Sequence, residues 1–65
     1  MNDAADGPAG LMVLHLWTET GDRMRVRITR TTDLPSGHMS TSYAATVSEV
    51  LEAVQSWLDS LVTPR

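Results

Sequence analysis

Cysteine is absent from this chain of 65 residues. Disulfide bonds, thiolate metal ligands and a thiol nucleophile are therefore excluded. A chain without cysteine suits a reducing compartment, so we expect a cytoplasmic protein.

A domain of this size buries only about 60% of the surface that its unfolded form exposes. Small domains commonly add a disulfide, a metal or a partner subunit. Because the first is excluded, we expect a homo-oligomer, with a homodimer as the simplest case.

Lysine is also missing, and long apolar runs are missing too. The formal net charge of −3 is not the bulk charge of a nucleic-acid-binding protein. No segment approaches the roughly 20 apolar residues that a membrane span requires, so we expect no membrane partner. Residues 1–10 lack the basic and apolar regions of a signal peptide. Their small and acidic residues predict a disordered leader, followed by a single small domain over residues 11–65.

Two adjacent segments predict a β-hairpin. Residues 11–18 are rich in bulky apolar side chains, and residues 23–28 alternate strictly between arginine and apolar residues, which is the period of a strand. The predicted connection is a three-residue loop, Glu19-Thr20-Gly21, with Gly21 at the position that needs a positive φ. Apolar residues occur on both faces of the first strand, which predicts a strand that is central or covered on both sides.

The alternation sorts the hairpin into two unlike faces, because successive strand residues point in opposite directions. One face is apolar and predicts the core. The other is aromatic and cationic. The predicted core face comprises Met12, Leu14, Leu16, Met24, Val26 and Ile28, and the other face comprises Val13, His15, Trp17, Arg23, Arg25 and Arg27.

The second half of the chain predicts a loop over residues 33–38, an edge strand over residues 39–45 and a helix over residues 46–62. Thr46 and Glu49 form a capping box at the start of this helix. Its apolar residues recur at helical spacing and predict a stripe packed in the core: Val47, Val50, Leu51, Val54, Trp57, Leu58 and Leu61. The expected fold is therefore α+β, a three-stranded antiparallel sheet in the order β-β-β-α, with the amphipathic C-terminal helix on one face.

The aromatic and cationic face predicts a binding surface, because tryptophan and arginine are enriched at binding hot spots. The sequence favours a small protein–protein interaction module that binds either a second copy of itself or an acidic protein. Val13, His15, Trp17, Arg23, Arg25 and Arg27 are the candidate contact residues. Nucleic acid is the alternative partner, since sheets of this kind can enter the major groove and arginine reads guanine there.

No catalytic site is predicted. The candidate bases near neutral pH are His15 and His38. His38 lies near Asp33, Ser36 and Ser40 in the sequence, but catalytic triads are defined by geometry and not by sequence proximity. The two histidines lack the spacing of a metal site, and no glycine-rich phosphate loop is present. We therefore expect a non-enzymatic protein without metal or cofactor.

Overall fold

The structure, a computed structural model, describes residues 9–62. Its elements are β1 (Leu11–Glu19), β2 (Arg23–Thr31), a short 3₁₀ helix (Leu34–Ser36), β3 (Ser40–Ala44) and α1 (Val47–Val62). The three strands form one antiparallel sheet in the order β1-β2-β3. The predicted α+β fold with β-β-β-α order is confirmed, including the edge strand between the hairpin and the helix.

The hairpin loop differs from the prediction by one residue. The strand β1 continues through Glu19, which pairs with Arg23, so the loop is Thr20-Gly21-Asp22. Gly21 has the expected positive φ of 81°, and Asp22 also adopts a positive φ, of 60°. Aspartate tolerates this region better than most residues do. The strand partners therefore shift by two residues, and because two is the period of a strand, every side chain stays on its predicted face.

The middle strand of the sheet is β2, and β1 lies at one edge. The prediction that β1 is central or covered on both sides is wrong for the single chain. The other edge is β3, which pairs with β2 so that Val26 lies opposite Ala44 and Ile28 opposite Ser42. As a consequence, β2 is hydrogen-bonded on both sides, whereas within residues 9–62 β1 is paired on one side only.

The helix begins at the predicted capping box. The Glu49 backbone N–H donates to the Thr46 Oγ1 at 3.1 Å, and the Glu49 carboxylate accepts a hydrogen bond of 2.7 Å from the backbone N–H of Ala45. The Thr46 hydroxyl satisfies an amide that the first helical turn cannot pair internally, and the Glu49 carboxylate pairs the N–H of Ala45, the residue before the cap, in place of the N–H of Thr46. They also fix the turn between β3 and α1, and with it the direction in which the helix crosses the sheet.

The core is smaller than the sequence pattern predicts. Its buried hydrophobic residues are Val26, Ile28 and Ala44, and Val50 and Ala53 of α1 pack against them. The helix therefore lies over β2 and β3.

This placement leaves the helix-facing side of β1 uncovered toward the hairpin loop, so that Leu14 is 48% exposed and Leu16 is 58% exposed. Met12, near the start of β1, packs against the core. The assignment of both leucines to the core is wrong. The same holds for three members of the predicted helical stripe, Val47, Leu51 and Leu58, which are all exposed.

The other end of α1 is fastened to the end of β2. The indole Nε1–H of Trp57 donates to the backbone carbonyl of Thr31 at 3.0 Å. A Cβ atom placed on Gly10 would lie 2.8 Å from a Leu61 methyl carbon and 2.9 Å from the Thr31 carbonyl oxygen, so glycine allows the close approach. Gly10, the last residue of the predicted leader, is thus packed against α1 and the end of β2. Residues 1–8 of the predicted leader lie outside the described residues.

We expect Trp57→Phe to lower the free energy of unfolding by about 1–3 kcal/mol, because the half-buried Thr31 carbonyl loses its donor. Trp17→Phe is the matched control, since the Trp17 Nε1–H makes only an exposed contact with Glu19. It should change the free energy of unfolding by less than about 0.5 kcal/mol. Urea denaturation measures both. Equal losses in the two variants would contradict a structural role for the Trp57 hydrogen bond.

Candidate functional site

The sheet face opposite α1 carries the predicted contact residues. The pairing places Trp17 opposite Arg25, His15 opposite Arg27, and Val13 opposite Thr29. Since Val26, Ile28 and Ala44 pack against the helix, the alternate residues point the other way. We call this surface the open face; it comprises Val13, His15, Trp17, Glu19, Arg23, Arg25, Arg27 and Tyr43. All six residues proposed from the sequence lie on it, and their role in binding stays a prediction.

Arg27 occupies the middle of a row that crosses all three strands. It lies opposite His15 on β1 and opposite Tyr43 on β3. Its Nη2 donates to the His15 Nδ1 at 3.3 Å, which requires a lone pair on that nitrogen because arginine has no acceptor. The Tyr43 side chain is 60% exposed. The row therefore presents an imidazole, a guanidinium and a phenol side by side.

Tyr43 was missing from the sequence-based site. The period-two pattern of β3 shows only that Tyr43 and Thr41 share a face. Which face they share depends on the pairing between β2 and β3, and that pairing sets Tyr43 beside Arg27. A sequence argument would have needed this register, which the weak alternation of the third strand does not determine.

Trp17 is held at the loop end of the same face. Its ring lies 5.2 Å from the His15 ring, centroid to centroid, with the planes tilted by 49°. Its Nε1–H contacts the Glu19 carboxylate at 3.3 Å, and the other carboxylate oxygen of Glu19 lies 3.7 Å from the Arg25 Nη1. Glu19 thus lies between the indole and a guanidinium and contacts both.

The charges of the sheet and of the helix are separated. Three arginines and one glutamate lie on the open face, which gives it a formal excess of two positive charges (3 − 1). The exposed acidic residues Glu49, Glu52 and Asp59 lie on α1, across the sheet. Exposed single ion pairs contribute little to stability, so the positive charge of the open face is available to interact with a partner.

Apart from the open face, a polar groove lies between the end of β2 and the C-terminal half of α1, with a volume of about 260 Å³. It contains His38, the second candidate base from the sequence, together with Arg30 and Ser40. The Ser36 hydroxyl donates to the Asp33 backbone carbonyl and accepts from the His38 backbone N–H. Within residues 9–62, no serine hydroxyl is hydrogen-bonded to the His38 ring, so the geometry shows no activated serine there.

Another groove, with a volume of about 190 Å³, is lined by apolar side chains and lies between β1 and the start of α1. This volume suits a side chain or two and is smaller than the 300–1,000 Å³ typical of small-molecule sites. Sequence reasoning missed this groove because it assigned its leucines to the core. We call it the β1–α1 groove; it is lined by Leu14, Leu16, Met24, Val26, Val47 and Val50.

Comparison of the chain with protein families, with curated proteins and with solved structures finds no match. Among residues 9–62, no group of three histidine, aspartate or glutamate side chains is placed to hold a metal ion. The described part of the chain also contains no helix with the length and apolarity that a bilayer crossing requires.

We expect Glu19→Gln to change the free energy of unfolding by less than about 0.5 kcal/mol, because its ion pair with Arg25 is exposed. Both side chains keep about two fifths of their surface in solvent, at 44% and 41%. Ile28→Val, at a residue that is 1% exposed, is the reference and should cost about 0.5–1.5 kcal/mol. Urea denaturation compares the two. A loss from Glu19→Gln as large as that from Ile28→Val would mean that the open face is needed for folding.

Proposed function

We propose that this chain is a non-enzymatic protein–protein interaction module of the cytoplasm that binds an acidic partner protein through its open face. The observation that carries the proposal is that Trp17, Arg25, Arg27 and Tyr43 lie side by side on a sheet face that α1 does not cover. Strand pairing orders the backbone beneath these side chains before a partner arrives, so binding does not have to order that part of the chain.

The residue types on the open face favour binding to a protein. Tryptophan, tyrosine and arginine are the residues most enriched among binding hot spots. Trp17 supplies the apolar anchor, and Val13, which is 49% exposed, extends the apolar area along β1. Arginine forms bidentate hydrogen bonds with carboxylates, so Arg27 at the centre of the face suits an aspartate or glutamate of the partner.

An acidic protein is favoured over nucleic acid by the charge of the open face. Arg25 already has a carboxylate neighbour in Glu19, which leaves few cations for phosphate contacts. Affinity for nucleic acid depends mainly on the number of phosphates that are neutralised. The chain as a whole carries a net charge of −3, which opposes approach to a polyanion but leaves local pairing with a carboxylate possible.

The two indole N–H groups provide the test, because they lie on opposite sides of the sheet. We expect a peptide of alternating glutamate and leucine to shift the Trp17 Nε1–H resonance in ¹⁵N NMR spectra of the full chain and to leave the Trp57 resonance in place.

Arg27→Glu should weaken binding of this peptide about 30-fold or more, as for a hot spot worth about 2 kcal/mol. Salt should weaken binding as well, because the contacts are electrostatic.

Arg30→Glu is the matched control for this experiment. Arg30 lies on the same strand as Arg27, but its side chain is on the helix-facing side and lines the polar groove. This variant changes the net charge by the same amount and should bind the peptide like the unaltered chain. Equal losses from the two variants would show that only overall charge matters. Binding of single-stranded or duplex DNA with the same Trp17 shift, and none of the peptide, would replace the proposal by a nucleic-acid function.

A further inference from the structure

The strand β1 has the composition of a central strand but lies at an edge. Its nine residues, LMVLHLWTE, contain apolar side chains on both faces and a single charge, Glu19, at the last position. Natural edge strands are usually short, or carry charges, prolines or bulges that prevent pairing with another chain. The other edge of this sheet follows that rule, because β3 has five residues and the polar sequence STSYA.

The uncovered apolar surface continues from β1 onto α1. Leu14 and Leu16 are about half exposed, and across the β1–α1 groove Val47 is 64% exposed. Leu51, one turn after Val47 on α1, is 62% exposed. Leu58 follows seven residues after Leu51 and is also exposed, so the three helix residues form one stripe. Exposed apolar area that is continuous along a strand and a helix marks an interaction surface.

We propose that the β1 edges of two copies of this chain pair antiparallel and join the two sheets into one sheet of six strands. The strand order becomes β3-β2-β1 followed by β1-β2-β3 of the second copy, so β1 becomes a central strand, as its composition predicts. The inference goes beyond the proposed function, because its contacts are the backbone edge of β1 and the leucines on the helix-facing side, and not the surface of the open face.

The register of this pairing follows from symmetry. A two-fold axis perpendicular to the sheet keeps both helices on the same side, and it must pass through a residue of β1 that pairs with its own copy. His15 is the midpoint of Leu11–Glu19, so an axis at His15 is the choice that pairs all nine residues. Leu14 then lies opposite Leu16 of the second copy, and Val13 lies opposite Trp17.

The spacing of the elements fits this arrangement. Adjacent strands lie about 4.8 Å apart, so three intervals place the two β2 strands about 14 Å apart in the joined sheet. A helix with its side chains is about 10–12 Å across. Each helix lies over β2 and β3 and reaches the start of β1 only near its C-terminal end, where Leu61 meets Gly10. A gap therefore remains between the two helices above Leu14 and Leu16 of the paired β1 strands. Leu14 and Leu16 of both copies, flanked by Val47 and Leu51, fill that gap.

The charges allow two identical surfaces to meet. Glu19 lies opposite Leu11 of the second copy, so the two Glu19 carboxylates are separated by about eight residues, or roughly 27 Å of strand. The facing helix stripe (Val47, Leu51 and Leu58) is uncharged, and the acidic residues Glu49, Glu52 and Asp59 each lie about 80° or more away from every stripe residue around the helix axis. A second copy therefore meets apolar groups and an open strand edge without opposing like charges.

The first test is the mass of the full chain in solution. Sedimentation equilibrium should give a dimer of the 7.1 kDa chain. Leu14→Lys should raise the dissociation constant at least tenfold, because it places an ammonium group opposite Leu16 of the other copy. Met39→Lys is the matched control, since Met39 is 46% exposed and Leu14 is 48% exposed, and Met39 precedes the opposite edge strand.

A monomeric mass for the unaltered chain at every concentration would overturn the proposal and assign the β1 edge to a different protein. Equal weakening by Leu14→Lys and Met39→Lys would also overturn it. Circular dichroism of each variant shows whether the monomer stays folded.

The second test does not depend on the folding of Leu14→Lys. Because the chain has no cysteine, a single introduced cysteine can form a disulfide only between copies. Residues that face each other in antiparallel strands have Cα atoms about 4.5–5.5 Å apart, which a disulfide can span. His15→Cys should therefore cross-link under mild oxidation, and Thr41→Cys, on β3, should not. Cross-linking of Thr41→Cys alone, or of neither variant, would overturn the β1 pairing.

Discussion

The packing of α1 over β2 and β3 is the constraint on which the rest of the structure depends. The helix-facing residues of β3, namely Ser40, Ser42 and Ala44, are small, whereas those of β1 include Leu14 and Leu16. Small side chains let the helix approach closely, so Ala44 and Ala53 meet with Val26 and Ile28 in the core. One helix about 10–12 Å wide is then too narrow to cover the whole of β1 as well, and Leu14 and Leu16 remain about half exposed.

The size of the core gives this arrangement an energetic consequence. Val26, Ile28 and Ala44 are the described hydrophobic residues that are buried. A buried side chain of valine or isoleucine contributes about 1.5–3 kcal/mol, which is little against the entropy that folding removes. Polar contacts at the two ends of α1 add to the stability: the capping box at Thr46 and the Trp57 hydrogen bond to Thr31. Burial of the exposed leucines against a second copy would add apolar contacts that one chain cannot provide by itself.

The two proposed surfaces divide the sheet between them. The open face carries polar and aromatic groups that suit a reversible contact with an acidic protein. The β1 edge and its leucines carry backbone groups and apolar area that suit a permanent contact between copies. In the joined sheet, the two open faces become one surface with both Trp17 side chains near its middle. A partner with two acidic segments could then bind both halves together, which increases the apparent affinity without new contacts.

Local patterns in the sequence determined the elements and the faces of this protein. The alternation of β2 fixed which side each hairpin residue points to, and the Thr46 and Glu49 pair fixed the start of α1, because both depend only on neighbours along the chain. Only the tertiary structure decided which residues meet. With the loop at Thr20-Gly21-Asp22, the hairpin pairing differs by two residues from the predicted pairing. The register between β2 and β3 places Tyr43 beside Arg27. The small side chains of β3 allow the helix to pack over β2 and β3. Each of these depends on contacts between segments, which a one-dimensional pattern does not encode.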